Sequence, residues 1–449
     1  MRAHKLQVGI IAGVTGASVL AAVLVVLPLP MWDYVFVVAD YPGRRMPTPQ
    51  LFGWAFLIGL AVGAPLGALV WKLPLPTRWH PVRNVTAVLL GTGMATIPVV
   101  FILVPNALGG VLMAVPGLAM AIAVTYRAQR HRRVPLRYCM VAVVWGGTFA
   151  ITAGHHLLWA VHAGVASWLQ GRLTAVGPVL PSPLWEEIVK GLGVLALFDH
   201  LRRRYDSPVH GFVLGAMVGA GFNFVETSRY AMYDFSTAIF QVWVRQWVSG
   251  VAFGHVLFTG LIGTAIALAY RQRHAIAGLA IAAGGFGLGI VAHYVWNWTV
   301  LTRRQPITFD DAILGTLFGY LLNYLILSGP FLLLIVVTLV LADRRERAEL
   351  SAGLIAEARG GQAAVSQGEA IVLAHPKLRR VHRLSCARML GWRAYSAVGH
   401  LHQLQLDLAY ERFRLAREVG RIPPVSPRVL RQEIQALRRR INAPMEVAS

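Results

Sequence analysis

The sequence predicts an all-α fold: a polytopic membrane bundle of about ten transmembrane helices, followed by a C-terminal cytoplasmic helical tail. Three observations carry that prediction. Apolar residues make up 56% of the 449 positions and charged residues only 14%, with a mean hydropathy of +0.56, well beyond ordinary globular composition. Apolar windows long enough to cross about 30 Å of hydrocarbon at 1.5 Å per residue recur along the first three quarters of the chain. The arginines cluster in the short connections between those windows, where they act as orientation signals.

The spans fall at 8–28, 51–71, 85–104, 107–126, 138–161, 180–198, 209–227, 247–270, 276–299 and 312–342. Arg2 and Lys5 precede the first. Its apolar run is too long for a signal-peptide core, so it reads as a retained helix. With the N-terminus inside, the cytoplasmic loops collect Lys72, Arg78, Arg83, the cluster Arg127 to Arg137, the triplet Arg202 to Arg204, Arg271 and Arg273. The opposite loops are poorer in basic residues, so positive-inside counting puts both termini in the cytoplasm of a multi-pass cell-membrane protein. The last span is longer than a crossing requires, and Gly329-Pro330 predicts a kink within it.

The net charge of +22 could by itself suggest nucleic acid. Its distribution over membrane loops excludes that partner and leaves anionic lipid headgroups for the basic tail. Only Cys139 and Cys386 are present, so there is neither a disulfide framework nor a thiolate zinc site, and any metal must use His, Glu or Asp. Domain organisation reads as a transmembrane bundle over 1–342 and a basic cytoplasmic linker and helical tail over 343–449. The tail's Leu401, Leu404 and Leu408 recur at helical spacing, and its blander reading is a solvated appendage.

Ionisable groups inside the spans are costly unless paired or facing a polar cavity, so they mark a functional interior. Glu186 and Lys190 share a helix face at i, i+4, with Glu187 about 100° away. Phe222 and Glu226 are a second i, i+4 pair, His255 lies in an apolar run, and His293 is followed one turn later by Asn297. Glycines 215, 219, 221, 284, 285, 287 and 289 flank these groups and permit close helix packing. Counted from the outer ends of their spans, the four motifs reach a similar depth, roughly 10–12 Å for Glu186 and His255 at 1.5 Å per residue. His155 and His156 lie near the outer end of the fifth span, where helix packing is the simpler role.

Carboxylates with two imidazoles in a partly desolvated cavity activate water, by general-base action or through a metal. In that reading Glu186 takes a proton from water, with Glu187 beside it. His255 or His293 orients the water or ligates metal, Asn297 donates to a developing oxyanion, and Lys190 holds the acids. The metal-ligating set is Glu226, His255 and His293, and the cofactor is Zn2+ or none. The alternative is a proton- or cation-coupled transporter using the same buried Glu, Lys and His residues. It calls for polar groups through the full membrane depth and an inverted repeat, and neither is evident.

These residues resemble the PrsW-type intramembrane proteases, in the superfamily that includes the CAAX prenyl endopeptidases and bacteriocin-processing enzymes. Glu186-Glu187-x-x-Lys190 is similar to the EExxK motif, Phe222-x-x-x-Glu226 to FxxxE, His255 to the third motif and His293-x-x-x-Asn297 to HxxxN. The resemblance covers a core of about 180–299. It implies regulated hydrolysis of a membrane-anchored protein, such as an anti-sigma factor, near the outer face. PrsW proteins are described as metalloproteases, whereas the prenyl enzymes use Glu and His on water without metal and carry His where this chain has Glu226. HExxH, GxGD and GxSG motifs are absent.

Overall fold

A computed structural model describes residues 49–76, 79–94, 107–154, 181–230, 242–301, 318–360, 364–417 and 423–446, with a few positions between 12 and 19. Among them every regular element is helical, as expected of chains that must satisfy their backbone hydrogen bonds internally in lipid. The chain divides into two units. The first comprises Met1–Ala128, Pro135–Arg202 and His210–Val336, and the second Gln129–Val134, Arg203–Val209 and Val337–Ser449.

In the first unit α1 (Pro49–Trp71), α2 (His80–Gly91) and α3 (Ala107–Arg127) precede α4 (Leu136–Val144), which continues into a π-helical turn at Trp145–Ala150. Then come α5 (Pro181–Leu201), α6 (Pro208–Tyr230), a second π-helical turn at Trp243–Ser249, α7 (Gly254–Tyr270), α8 (Ala275–Leu301) and the start of α9 (Tyr320–Arg359). Among the described residues, seven stretches are long and apolar enough to cross a membrane: Trp54–Trp71, Gly109–Arg127, Leu136–Gly154, Pro208–Ser228, Arg245–Tyr270, Ala275–Thr299 and Leu321–Arg359. Helix α5 matches them in length but carries Glu186, Glu187 and Lys190. Of the other two expected spans, 8–28 lies almost wholly outside the described residues. So does the second half of 85–104, whose first half is α2. His155 and His156 also lie outside them.

Two local features set the position of α7. Gly215 and Gly219 face it from α6, and a Cβ at either would collide with the carbonyl oxygens of Thr259 and His255 respectively. The small residues thus let the two backbones touch. The helical run that begins at Trp243 breaks at Phe253, whose backbone is extended, and restarts at Gly254 with φ +57, a conformation that costs glycine little. His255 therefore sits in the first turn of a restarted helix rather than in the middle of an uninterrupted span.

The second unit departs from the expected linker and appendage. Helix α9 runs unbroken through Pro330 and past Ala342 to Arg359. The Asp-Arg-Arg-Glu-Arg stretch supplies good helix formers, and Arg345 bonds Glu349 one turn on, at 3.0 Å. It is followed by α10 (Gln367–Ala374), opened by a capping box between Ser366 and Glu369, then α11 (Pro376–Leu390), α12 (Trp392–Arg417) and α13 (Pro427–Glu446). Leu401, Leu404 and Leu408 are buried against Leu430 and Ile434, while Leu350, Leu354 and Leu373 pack on Leu406 and Tyr410. Buried Glu357 accepts two hydrogen bonds from Arg431, at 2.7 and 2.8 Å.

The loops 129–134 and 203–209 belong to this unit because their charges are answered by α12. Arg132 is 1% exposed, stacks on Tyr410 at 3.7 Å and donates to Asp407 at 3.2 Å. Arg204 donates to the other oxygen of Asp407 at 2.5 Å, and Asp206 accepts from Tyr410 and Arg414.

Buried His402 gives this unit a pH dependence. Burial, reinforced by His382, Arg379 and Arg383, pulls its imidazole down to about 4 from an ordinary 6.5. The unfolded chain therefore takes up a proton near pH 6.5 that the folded unit refuses until about 4. The sign follows from linkage: stability is complete above 6.5 and is lost as pH falls from there toward 4. We expect amide exchange in α11 and α12 to rise over that interval and His402→Gln to flatten the rise. Exchange that stays constant between pH 7 and 5 would count against it.

Candidate active site

The acids, imidazoles and amide singled out by sequence come from α5, α6, α7 and α8 and meet in one buried cluster of the first unit. Lys190 is its centre. Its ammonium donates to Glu187 Oε1 at 2.7 Å, to His255 Nδ1 at 2.9 Å and to Glu186 Oε2 at 3.5 Å, so three protons meet three acceptors. The ammonium also lies 3.6 Å from the centre of the Phe222 ring, a cation–π contact in a desolvated setting. Lys190 and Glu187 are fully buried, and Glu186, His255 and His293 are nearly so.

The tautomers follow from the partners. An ammonium only donates, so His255 Nδ1 accepts and its Nε2–H donates to Glu226 Oε2 at 2.7 Å. A carboxylate only accepts, so His293 Nδ1–H donates to Glu187 Oε1 at 3.1 Å. His293 Nε2 then faces Asn297 Nδ2 at 3.2 Å and Glu186 Oε2 at 4.0 Å, a gap that one water can bridge. The two rings stand edge to face, 4.8 Å apart.

A cavity of about 30 Å³ adjoins the cluster, lined among others by Glu226, His255, His293 and Asn297. That is room for at least one water. Other walls that sequence reasoning missed include Arg245, Trp296 and Tyr324, the last two stacked at 3.6 Å. Glu186 does not line it and reaches it through His293. Two hydroxyls were also missed. Ser182 donates to Glu186 Oε1 at 2.5 Å and Thr259 to Glu187 Oε2 at 2.9 Å. Both stand four residues from a motif residue, Glu186 and His255, so helical spacing could have found them.

Glu186, His255 and His293 offer ligand atoms within 4.8 Å of one another. Two imidazoles and a carboxylate are a donor set that catalytic zinc sites use. Glu226 lies apart from this set, on the other nitrogen of His255, where a carboxylate orients and polarises a ligating imidazole. Glu186, Glu187 and Glu226 gather beside Lys190 and the cavity-lining Arg245, so negative charge stays in excess and would favour a bound cation.

Buried acids facing imidazoles across a water-sized gap, within a membrane bundle, are groups with which an intramembrane hydrolase could activate water. Residues 134–329 match the model of the PrsW family, described as PrsW family intramembrane metalloprotease. Over this segment, somewhat under half of the chain, the protein is similar to the PrsW-type intramembrane proteases. The transporter alternative is not favoured. No curated protein and no solved structure matches the chain.

Proposed function

We propose that this protease cleaves a membrane-anchored protein near the outer face of the membrane, an anti-sigma factor being the substrate class that the family resemblance implies. The observation that supports this reading most directly is the 4.0 Å gap between Glu186 Oε2 and His293 Nε2, next to a cavity that exposes His293 and Asn297. A water held in the gap gives a proton to Glu186 and attacks the scissile carbonyl carbon. Asn297 turns from His293 to donate to the carbonyl oxygen as it gains charge. Glu186 then passes the proton to the departing amine. Lys190 bridges the two adjacent carboxylates, and Glu187 fixes the ring of His293.

Glu186, His255 and His293 are the residues that would hold a divalent metal, Zn2+ among the candidates, with Glu226 behind His255. Such an ion supplies Lewis acidity and a more acidic bound water. Holding it through His255 Nδ1 would require Lys190 to give up its hydrogen bond to that nitrogen.

Both termini lie in the cytoplasm on this reading. That agrees with the arginine-rich loops 129–134 and 203–209 and the tail sharing one unit. The tail's basic surface then faces anionic headgroups.

The test is cleavage of single-pass substrates by the purified protein in proteoliposomes. We expect His293→Ala to reduce turnover at least about 100-fold. Wild-type turnover in that variant would remove His293 from the chemistry. A flux of protons or cations that depends on the same residues, without cleavage, would favour the transporter. Activity that survives exhaustive chelation would point to the metal-free mechanism.

A further inference from the structure

Glu187 has two oxygens with unequal duties. Oε1 takes Lys190 at 2.7 Å and His293 Nδ1–H at 3.1 Å. Oε2 takes a single hydrogen bond, from Thr259 Oγ1 at 2.9 Å. The Thr259 hydroxyl therefore decides the plane of the carboxylate that orients the His293 ring.

The default for a hydroxyl on a membrane helix is to bond the carbonyl one turn back. Thr264 does so on the same helix, to Gly260 at 2.8 Å. So do Thr148, to Val144 at 2.5 Å, and Ser228, to Phe224 at 2.8 Å. Thr259 instead directs its proton across to α5. Its backbone is held where this is possible, because Gly215 of α6 lies against its carbonyl oxygen. A β-branched side chain has few rotamers to leave that aim, and Thr259 is fully buried.

We propose that Thr259 is a positioning residue of the protease, acting through Glu187 on His293. This inference rests on the hydrolytic reading of the site. Valine has the shape of threonine without its proton, so Thr259→Val leaves Oε2 without a donor while keeping the packing. Misdirection of a group behind a reacting imidazole costs about 10- to 100-fold in activity.

The experiment compares kcat and KM of the full-length wild type, Thr259→Val, Thr259→Ser and Thr264→Val in proteoliposomes, with the melting temperature of each in detergent. The expected result is a kcat lowered about 10- to 100-fold in Thr259→Val at a KM within about 3-fold of wild type. Thr259→Ser should recover most of the loss, and Thr264→Val should match the wild type. Turnover of Thr259→Val equal to wild type would overturn the proposal. So would equal losses in Thr259→Val and Thr259→Ser, since those would report packing rather than the proton. A wild type that cleaves nothing would sink the hydrolytic reading and this inference with it, whereas an active wild type with an active valine variant sinks the inference alone.

Discussion

Glu186→Gln should lower the rate of peptide hydrolysis by about 10² to 10⁴ while leaving KM nearly unchanged, because a positioned general base contributes on that scale. The substitution isolates basicity from shape. A glutamine in the same rotamer still offers an oxygen to Ser182, which donates to Glu186 Oε1 at 2.5 Å. It also takes one acceptor from Lys190, which donates to Glu186 Oε2 at 3.5 Å and keeps Glu187 and His255 as its closer partners, so the melting temperature of the variant is measured beside its rate. What disappears is the lone pair that faces His293 Nε2 across 4.0 Å. Equal falls in kcat and kcat/KM would identify an interaction made only in the transition state, whereas a raised KM with kcat intact would assign Glu186 to substrate binding. Metal content measured on the same preparations adds a second axis. A ligand role predicts that the glutamine variant loses bound metal along with activity, and a purely basic role predicts that it loses activity alone. A glutamine variant that cleaves at the wild-type rate would exclude Glu186 from either role.

Much of this site was legible in the sequence because helical geometry converts spacing into faces. Glu186 with Lys190, and His293 with Asn297, are i, i+4 pairs, and they appear as contacts at 3.5 and 3.2 Å. Comparing depths in antiparallel spans gathered the acids and imidazoles before any distance was known. The same rule would have led from His255 to Thr259 and from Glu186 to Ser182. Those hydroxyls were passed over because serine and threonine in a membrane helix ordinarily bond their own backbone and carry no chemical signature. Arg245 lies just outside the apolar run 247–270, and nothing local says that a π-helical turn carries it onto the cavity wall. The break at Phe253–Gly254 has no proline to announce it.

The tail was the least legible part for a different reason. Arg132 pairs with Asp407 across 275 positions and Arg204 with the same carboxylate across 203. A positive-inside count sees only that these arginines lie in loops. Leu401, Leu404 and Leu408 gave the correct period for a buried stripe, but periodicity does not name what covers it. Here the cover is a core that includes Leu430 and Ile434. The Asp-Arg-Arg-Glu-Arg run read as the onset of a linker because its charge changes abruptly, yet charged residues of that kind are strong helix formers.

Lys190→Met should be the most damaging single change to the fold of the first unit, costing about 3–5 kcal/mol, the usual penalty for removing one partner of a buried ion pair. Methionine approximates the length of lysine and keeps the contact with Phe222, so the loss is electrostatic rather than a cavity. Glu187 is fully buried and would keep only Thr259 and His293 as donors. Glu186 would keep Ser182, and His255 Nδ1 would lose its donor. Two adjacent carboxylates would then face one another without a cation between them. The expected readouts are a lowered yield of folded protein, a lowered melting temperature in detergent and no detectable cleavage. The double variant Lys190→Met/Glu187→Gln discriminates the cause, because neutralising the orphaned acid should restore a large part of the stability while activity stays low, His293 having lost the carboxylate that orients it. If the double variant melts no higher than the single one, compensation of the Glu187 charge is not what Lys190 contributes to stability. If Lys190→Met melts like the wild type, the cluster does not depend on an internal ammonium, and another cation, such as protonated His255 or a bound metal, must balance its acids.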